Sequence, residues 1–548
     1  MTEGRTVGRR SRSRTRIPEA AAMVLAVMAA LCAGPAVAQT ASGWTVSWEN
    51  DTFVPRSLSS DESYTNGVRF ALQRQWKWAD SLGEWWRRNF FLARGGMDHD
   101  ITAALVIGQN FFTPAVITEF EVDPLDRPFA GLLYVGARVE TTENQPARAD
   151  VFQFRMQHAL EFDLGVLGPP ALAGPTQSGV HLLRKSRIPK GWDQQLGTEL
   201  APAASALTQA KIGWHFLDVV PHIGALAGTV QTYAFGGLTA RLGWNMTGFP
   251  ALLIRQTAAP EAERPDWEIG VLAGVEGRAF ARNAFVDGNL IGGEPGVPGE
   301  PLVGDLRFGF TGRLVDWRLS YTFVRRSREV ENGGPADRYH NYGSLTFGYE
   351  PGRQTPEDRE GSFLGTLVDG ILAPAFRNVL IEAGIGGGVS RELPAAAGDR
   401  SREGISMRVS VNKGITEALF LGVELTGMAR EGGRPVPPEE RHLDTFFTNR
   451  LVTARFLPFG PRLGPGSFHV RAGVGKATAQ VQSTLGVDHF YTREDSGRGW
   501  LLGTGYAFRL GDKASIGLDV AWNRLDVGSD AGPSARFLAS TFTIQWHP

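Results

Sequence analysis

Residues 405–412 read ISMRVSVN, so every second residue is apolar and every other residue is polar. The same alternation returns at 516–523 (IGLDVAWN) and in the last residues, where 541–546 reads TFTIQW. A period of two is typical of a β-strand whose two faces meet different surroundings. The alternating segments run to ten or more residues and carry Trp or Phe near their ends, as transmembrane barrels do at the membrane interfaces. We therefore predict an all-β, antiparallel transmembrane β-barrel, with a soluble β-sandwich as the alternative.

The composition agrees with strands that have one apolar and one polar face, because the hydropathy averaged over both faces is close to zero. The 548 residues include 56 Lys or Arg and 57 Asp or Glu, and the mean hydropathy is -0.16. After the N-terminal region no segment reaches 18 uninterrupted apolar residues, which excludes transmembrane helices there. The balanced charge argues against a nucleic-acid partner, which requires a basic surface. The single cysteine excludes a disulfide scaffold and a zinc site built from cysteines.

Residues 1–38 are predicted to be a secretory signal peptide. Six arginines between Arg5 and Arg16 precede the apolar run from Ala20 to Leu31, and cleavage is expected near Ala38. A membrane anchor is disfavoured because this run is too short to span a bilayer. Cleavage would remove six Arg, two Glu and the one cysteine, which leaves 50 positive and 55 negative residues. These features predict export to the bacterial cell outer membrane.

The predicted strands fall into two groups. Twelve lie between residue 42 and about residue 350, and eight lie between 378 and 546. Because bacterial barrels have even strand numbers, we predict a barrel of about 12 strands in a domain spanning 39–350. A linker at 351–377 and a smaller barrel of about eight strands at 378–548 follow. A single barrel of twenty strands is the alternative, disfavoured by the polar segment after Glu350.

Three of the predicted strands have bounds that bear on the connections between strands. The second strand is placed at 65–78, the fifth at 148–164, and the sixth strand of the smaller barrel at 498–510. Four tryptophans are predicted to form one aromatic patch at the membrane interface: Trp76, Trp78, Trp85 and Trp86.

The connections after strands 1, 3 and 5 are expected to lie together. If the first strand leaves the periplasm, every odd-numbered strand ends at the extracellular rim, which brings together residues 52–64, 114–130 and 165–198. Asn50, Asp51 and Asn66 flank the first connection. Their carboxylate and amide oxygens are the ligands that calcium prefers, although such residues beside a hairpin are more often turn formers.

The other two connections carry groups that could bind or activate a substrate. Arg127 could bind a phosphate or carboxylate through two hydrogen bonds, or could form an ion pair with Asp126. His181 lies four residues after Gln177, so both share a face if the connection contains a helical turn. A lone histidine is more often structural than catalytic, and the interest of His181 depends on its sharing the rim with the first connection.

This ordered series of motifs resembles the lipid A 3′-O-deacylase (LpxR-type) family, over about residues 42–350. The motifs are Glu49-Asn50-Asp51, Tyr64-Thr65-Asn66-Gly67, Asp126-Arg127-Pro128-Phe129-Ala130-Gly131, Gly168-Pro169, Gln177, His181 and Gly191-Trp192. The strand that carries His340, Gly343 and Ser344 is similar to the family's closing strand. The resemblance implies a twelve-stranded outer-membrane barrel that hydrolyses, with Ca2+, the 3′-acyloxyacyl ester of the lipid A of lipopolysaccharide. The C-terminal part resembles small eight-stranded outer-membrane barrels.

The resemblance also implies roles for individual residues. His181 would be the general base that takes a proton from the attacking water, and Asp51 would bind the calcium ion. Asn50, Thr65 and Asn66 would order the site. Gln177 would position His181 or the water. Arg127, with Lys190 as a second candidate, would neutralise a lipid A phosphate.

Two other functions remain open from the sequence. The first is another outer-membrane lipid esterase with a serine nucleophile, in types that place His two residues before Ser. None of the ten histidines here has Ser at that spacing. The second is a non-catalytic structural or binding barrel. The oligomeric state is not predicted.

Overall fold

The computed structural model describes most of the chain in separate ranges. They are 43–54, 63–74, 76–89, 99–117, 119, 121–143, 152–183, 189–250, 267–291, 296–331, 339–350, 378–393, 402–430, 441–460, 466–485, 489–509, 514–527 and 534–546. The predicted signal peptide and the predicted linker at 351–377 lie outside these ranges. Within them, no helix combines the length and the apolar character that crossing a membrane requires.

The described residues before Pro351 form a closed antiparallel barrel. Its strands are β1 (Gly43–Asn50), β2 (Ser63–Arg74), β3 (His99–Thr113), β4 (Ala130–Glu143), β5 (Gln153–Leu167), β6 (Glu199–Gly213), β7 (Leu217–Gly228), β8 (Gln231–Trp244), β9 (Trp267–Asn283), β10 (Leu302–Leu314), β11 (Trp317–Arg326) and β12 (His340–Tyr349). Each strand pairs with its sequence neighbours, and β12 closes the ring on β1, where Asn50 lies opposite Gly343. The predicted twelve-stranded barrel is confirmed, and β12 is the predicted closing strand.

The described residues after Asn378 form a second closed barrel. Its strands are β13 (Val379–Leu393), β14 (Arg402–Gly414), β15 (Leu419–Arg430), β16 (Arg441–Phe456), β17 (Gly466–Leu485), β18 (His489–Arg509), β19 (Ala514–Val527) and β20 (Ser534–Trp546). β13 pairs with β20, with Ile381 opposite Trp546, so these eight strands close on themselves. The twenty strands therefore form two rings instead of one.

The alternation in the sequence separates the lumen from the outer surface. In β14, the side chains of Ser406, Arg408 and Ser410 are almost fully buried, whereas Val409 and Val411 are exposed on the other face. A soluble sandwich would bury the apolar face. Here the polar face is the buried one, as in a transmembrane barrel.

Both lumens are filled by paired charges. In the first barrel the Glu276 carboxylate lies 2.7 Å from Arg278 and 2.8 Å from Arg307. In the second, Arg408 contacts Glu382 at 2.5 Å. Buried charges are costly unless each finds a partner, so these networks account for the polar residues at every second strand position.

The prediction that the second strand continues through residues 76–78 is wrong. β2 ends at Arg74, and helix α1 (Lys77–Asn89) follows. Ala79 of this helix packs against Ala103 and Val139 on the outer wall of the barrel. The Trp76 and Trp78 rings stack with centroids 5.7 Å apart at the start of this amphipathic helix, and Trp85 and Trp86 form a second pair further along it, with centroids 6.4 Å apart. Bulky aromatics suit an interfacial helix as well as a strand end, which is why their composition did not distinguish the two.

Two strand boundaries also differ from the predictions. β5 begins at Gln153 and ends at Leu167, whereas the sequence placed it at 148–164; residues 148–151 lie outside the described ranges. β18 begins at His489, nine residues before the predicted start at 498. In both barrels the longer strands carry the sheet further toward the connections than the alternation alone indicates.

The described parts of the connections in the first barrel contain two further helices. They are α2 (Ala173–Leu183) and the single turn α3 (Ala284–Asp287). The same described parts contain three short 3-10 helices: η1 (Asp51–Phe53), η2 (Pro169–Ala171) and η3 (Gly191–Gln194). Of the predicted site residues, η1 carries Asp51, α2 carries Gln177 and His181, and Lys190 directly precedes η3.

Candidate functional site

The first part of the site is the end of β1. Trp48 is partly exposed on the outer face, and Glu49 lines the cavity inside the barrel. Since strand residues alternate in direction, Asn50 faces outward with Trp48. Asp51, which starts η1, is 1% exposed. The chain thus places an amide and a carboxylate at the end of β1, with the amide of Asn50 on the outer face of the barrel.

Asn66 of β2 joins this group. Its Oδ1 accepts a hydrogen bond from Nδ2 of Asn50 at 3.1 Å and another from Nε1 of Trp48 at 2.6 Å. Asn50 and Asn66 are also directly opposite each other in the β1–β2 pairing. The structure therefore brings together two of the residues predicted on either side of the first connection.

Thr65 lies at an irregularity of β2. Tyr64 pairs with Phe112 of β3 and Asn66 pairs with the adjacent Phe111, so the register shifts at Thr65. A bulge of this kind bends the strand and redirects neighbouring side chains, and bulges are frequent beside active sites. The side chain of Thr65 lies outside the described part of the chain.

Helix α2 lies against the outer wall of the barrel. A Cβ atom added at Gly131 of β4 would lie 2.4 Å from the Cβ of Ala173, so the helix can approach the strand this closely only at a glycine. Nε2 of Gln109 on β3 donates hydrogen bonds to the carbonyl of Ala171 at 2.7 Å and to Oγ1 of Thr176 at 3.2 Å. These contacts anchor the beginning of the helix to β3 and β4.

Gln177 and His181 both belong to α2, as the sequence expected if the connection contained a helical turn. Four residues apart, they lie on one helix face, and both side chains are buried. Oε1 of Gln177 accepts a hydrogen bond from Nε1 of Trp192 at 2.8 Å. The orientation of Gln177 is thereby defined by a residue of η3.

Trp192 connects the two halves of the site. Its ring contacts Phe129, with centroids 4.9 Å apart, and Phe111, with centroids 6.2 Å apart. Phe111 lies opposite Asn66 in the β2–β3 pairing. Trp192 was predicted only as part of a motif, without a role. A buried tryptophan needs an acceptor for its indole N–H, and Gln177 provides one here.

Arg127 points into the lumen, on the opposite side of the barrel wall from Asn50 and Asn66. Nη2 of Arg127 donates to a carboxylate oxygen of Glu329 at 2.9 Å, and Glu329 lines the cavity inside the barrel. Burial alone would raise the pKa of the Glu329 carboxyl, but the charges of Arg127 and Arg326 outweigh it and lower this pKa to about 2. Arg127 itself is 1% exposed. This placement does not support the expected contact with a lipid A phosphate, because the side chain points into the lumen and binds Glu329.

For the expected alternative, an ion pair with Asp126, the structure shows that the positive charge of Arg127 acts on the Asp126 carboxyl and opposes the rise in its pKa that burial causes, while the hydrogen bond from the guanidinium goes to Glu329. The Asp126 carboxylate accepts hydrogen bonds from the main-chain N–H groups of Ala115 and Arg127, both at 2.7 Å. Burial raises the pKa of this carboxyl even though both hydrogen bonds oppose the shift. Lys190, the second phosphate candidate, is also buried, and its main-chain N–H donates to the carbonyl of Ile117 at 2.8 Å.

The oxygen-rich end of β1 fits a hard cation better than a transition metal. No group of three or more His, Cys, Asp or Glu that could hold a metal occurs in the part of the chain that the structure describes. A cation here would be held by the Asp51 carboxylate together with amide, main-chain or substrate oxygens. Calcium accepts such a mixed set of oxygens, whereas zinc requires several nitrogen or sulfur ligands.

Comparison with known proteins gives one family. The family described as "Outer membrane protein LpxR" matches residues 22–350. Among solved structures, LpxR from Salmonella typhimurium is similar with a TM-score of 0.44 and 19% identity, over 56% of this chain and 99% of that chain. Neisserial surface protein A is similar with a TM-score of 0.24 and 13% identity, over 31% of this chain and 97% of that chain. No curated protein sequence matches the chain.

Proposed function

Because the chain belongs to the LpxR family of outer membrane proteins, we propose that its first barrel is a lipid A 3′-O-deacylase. The observation that carries this proposal is the direction of the site residues. Asn50 and Asn66 face the outside of the barrel at its rim, and Gln177 and His181 lie on a helix packed against the same outer wall. A lipid in the outer leaflet can reach such a site from the membrane, whereas a site in the lumen would be closed to it.

His181 is proposed as the general base. In the hydrolysis, the oxygen of a water molecule attacks the ester carbonyl carbon while His181 takes the proton of that water. The bond to the sugar oxygen then breaks, and the protonated imidazole returns a proton to this leaving oxygen. The products are a free fatty acid and a sugar hydroxyl, and no covalent acyl-enzyme forms. A neutral imidazole suits this exchange near pH 7.

Gln177 is proposed to position the water or the ester. Its Oε1 is occupied by Trp192, which leaves Nε2 as its donor. Within the described ranges, no group accepts a hydrogen bond from this Nε2, which is buried. The amide can therefore donate to a substrate or water oxygen at no cost to the resting structure.

Asp51 is proposed as the carboxylate ligand of a calcium ion, with Asn50, Thr65 and Asn66 ordering its surroundings. A calcium ion bound there would supply positive charge next to the ester carbonyl. The hydrogen bonds from Asn50 and Trp48 to Asn66 would keep the end of β1 and the bulge of β2 in register with the ligand.

The proposal can be tested with the full chain expressed in the outer membrane of a bacterium whose lipid A is fully acylated. Mass spectrometry of the lipid A is expected to show loss of the 3′-linked acyl groups. In detergent extracts the reaction should stop with a calcium chelator and resume when calcium is added back. Unchanged lipid A from a correctly folded barrel would favour a structural or binding role. Activity that survives the chelator would refute the calcium requirement.

A further inference from the structure

The second barrel contacts the helix that carries His181. Helix α2 lies against strands β14 and β15, which belong to the second barrel. The closest described approach is at Gly179, where an added Cβ would lie 2.6 Å from Sδ and 3.8 Å from Cγ of Met407. Gly179 is buried, although it lies in a connection at the rim.

Met407 points away from the lumen of its own barrel. Its neighbours Ser406 and Arg408 are buried inside, and alternate residues of a strand face opposite sides. The contact with Gly179 therefore involves the outer surface of the second barrel, which elsewhere on this strand is exposed at Val409 and Val411.

Gly179 lies on the opposite face of α2 from the site. With 100° per residue, Gly179 is about 160–200° away from Gln177 and His181 around the helix axis. The face that carries Gln177 is turned toward Trp192 and the first barrel. The helix is thus held between two surfaces, the first barrel on one side and β14–β15 on the other.

From this arrangement we infer that the second barrel is a positioning element for α2. Met407 fills the space that the missing side chain of Gly179 leaves, and its flexible thioether adapts to the helix surface. With β14–β15 behind it, the helix cannot move away from β3 and β4 of the first barrel, and Gln177 stays in contact with Trp192. The consequence for catalysis rests on the proposed deacylase function, whereas the contact itself does not.

A disulfide test addresses the contact alone. In a Cys32→Ala background the only cysteines are those introduced, so Gly179→Cys with Met407→Cys can form one intramolecular bond. Disulfides need Cβ atoms about 3.5–4.5 Å apart. The Cβ added at Gly179 lies 3.8 Å from Cγ of Met407 and more than 4 Å from its Cβ, so linking requires the two backbones to lie at least as close as they do here. The matched control is Gly179→Cys with Val520→Cys, because Val520 is an exposed residue of β19 in the same barrel. Proteolysis and mass spectrometry should find the linked peptide in the first pair and not in the control; its absence, or equal linking in both, would overturn the inference.

A second measurement addresses the positioning of the helix. Met407→Ala is expected to increase hydrogen–deuterium exchange in residues 173–183, while Met407→Leu, which keeps the volume, should not. If the wild type is an active deacylase, Met407→Ala should lower kcat roughly ten-fold with little change in KM, since misplacing a catalytic group affects the chemical step. Val409→Ala is the control, two residues along the same outer face.

The outcomes separate the two proposals. A wild type without deacylase activity refutes the proposed function, and the disulfide and exchange measurements still decide whether β14–β15 hold α2. An active wild type whose Met407→Ala variant shows unchanged exchange and unchanged kcat would refute the positioning role.

Discussion

The two barrels differ in where they bury polar groups on their outer faces. Both fill their lumens with paired charges, but at the rim of the first barrel outward-facing amides are buried, as Asn50 and Asn66 show. In the second barrel the outward pair Arg524–Asp526 is partly exposed, with the side chain of Arg524 43% accessible. A polar residue inside a barrel is explained by the fold, whereas one buried on the outside requires a different reason. In the first barrel that reason is the candidate site.

Histidines illustrate the same difference. His469 of the second barrel lies 2.7 Å from Asp519, a pairing typical of catalytic sites, but it is fully buried in the lumen. Its Nδ1 accepts from Arg455, so Nε2 carries the hydrogen that is donated to Asp519. His181, by contrast, lies on helix α2, which packs against the outer wall of the first barrel.

The largest expected effect separates these two histidines. His181→Ala should lower deacylation roughly 10²–10⁴-fold, because a general base contributes about that much, and should leave both barrels folded. His469→Ala should leave the deacylation rate unchanged and lower the stability of the second barrel by about 1–3 kcal/mol, because Arg455 and Asp519 lose a buried partner. Lipid A mass spectrometry and urea unfolding in detergent measure the two effects. A His181→Ala variant that still removed the 3′ acyl groups would disprove the proposed base.

The next largest effect is expected when the hydrogen bond from the Trp192 indole to Gln177 is removed. Trp192→Phe keeps the aromatic packing on Phe111 and Phe129 but leaves Oε1 of Gln177 without its donor. A lost partner of a buried group costs about 1–3 kcal/mol, so we expect kcat to fall roughly five- to hundred-fold with the barrel intact. Trp85→Phe on the exposed face of α1 is the matched control and should have wild-type kinetics. Equal kinetics for both variants would show that Trp192 only packs.

A smaller effect, on stability, is expected inside the first barrel. Since the folded-state pKa of Glu329 is about 2, below its usual 4.5, its ion pair with Arg127 stabilises the fold above pH 4.5. This stabilisation is lost as the pH falls from 4.5 toward 2. Glu329→Gln should therefore be less stable than wild type at pH 7, and the difference should shrink on acidification over that range. A difference independent of pH in urea unfolding would contradict the assigned pair.

The smallest effect is expected on the outside of the second barrel. Arg524→Ala should change stability by less than about 1 kcal/mol, because exposed ion pairs are solvated and screened. Urea unfolding with and without added salt measures it. A larger loss would mean that outward polar residues of the second barrel also belong to a site.

The topology made part of the site predictable. Strand parity alone placed the first and third connections at one rim, and the structure confirms that Asn50 and Asn66 meet and that Gln177 and His181 share a helix. The role of Trp192 and the bulge at Thr65 depend on strand register, which the sequence pattern does not specify at the resolution of one residue.

What the sequence by itself determined is the set of alternating strands and their division into groups of twelve and eight, because a period of two gives each strand one polar and one apolar face. What only the tertiary structure decided is the side of the wall on which each loop residue lies. Arg127 turns into the lumen because Glu329 binds it there. This partner is 202 residues away in the chain, so the local sequence does not reveal it. The contact between α2 and Met407 likewise joins distant segments, and no local pattern encodes either meeting.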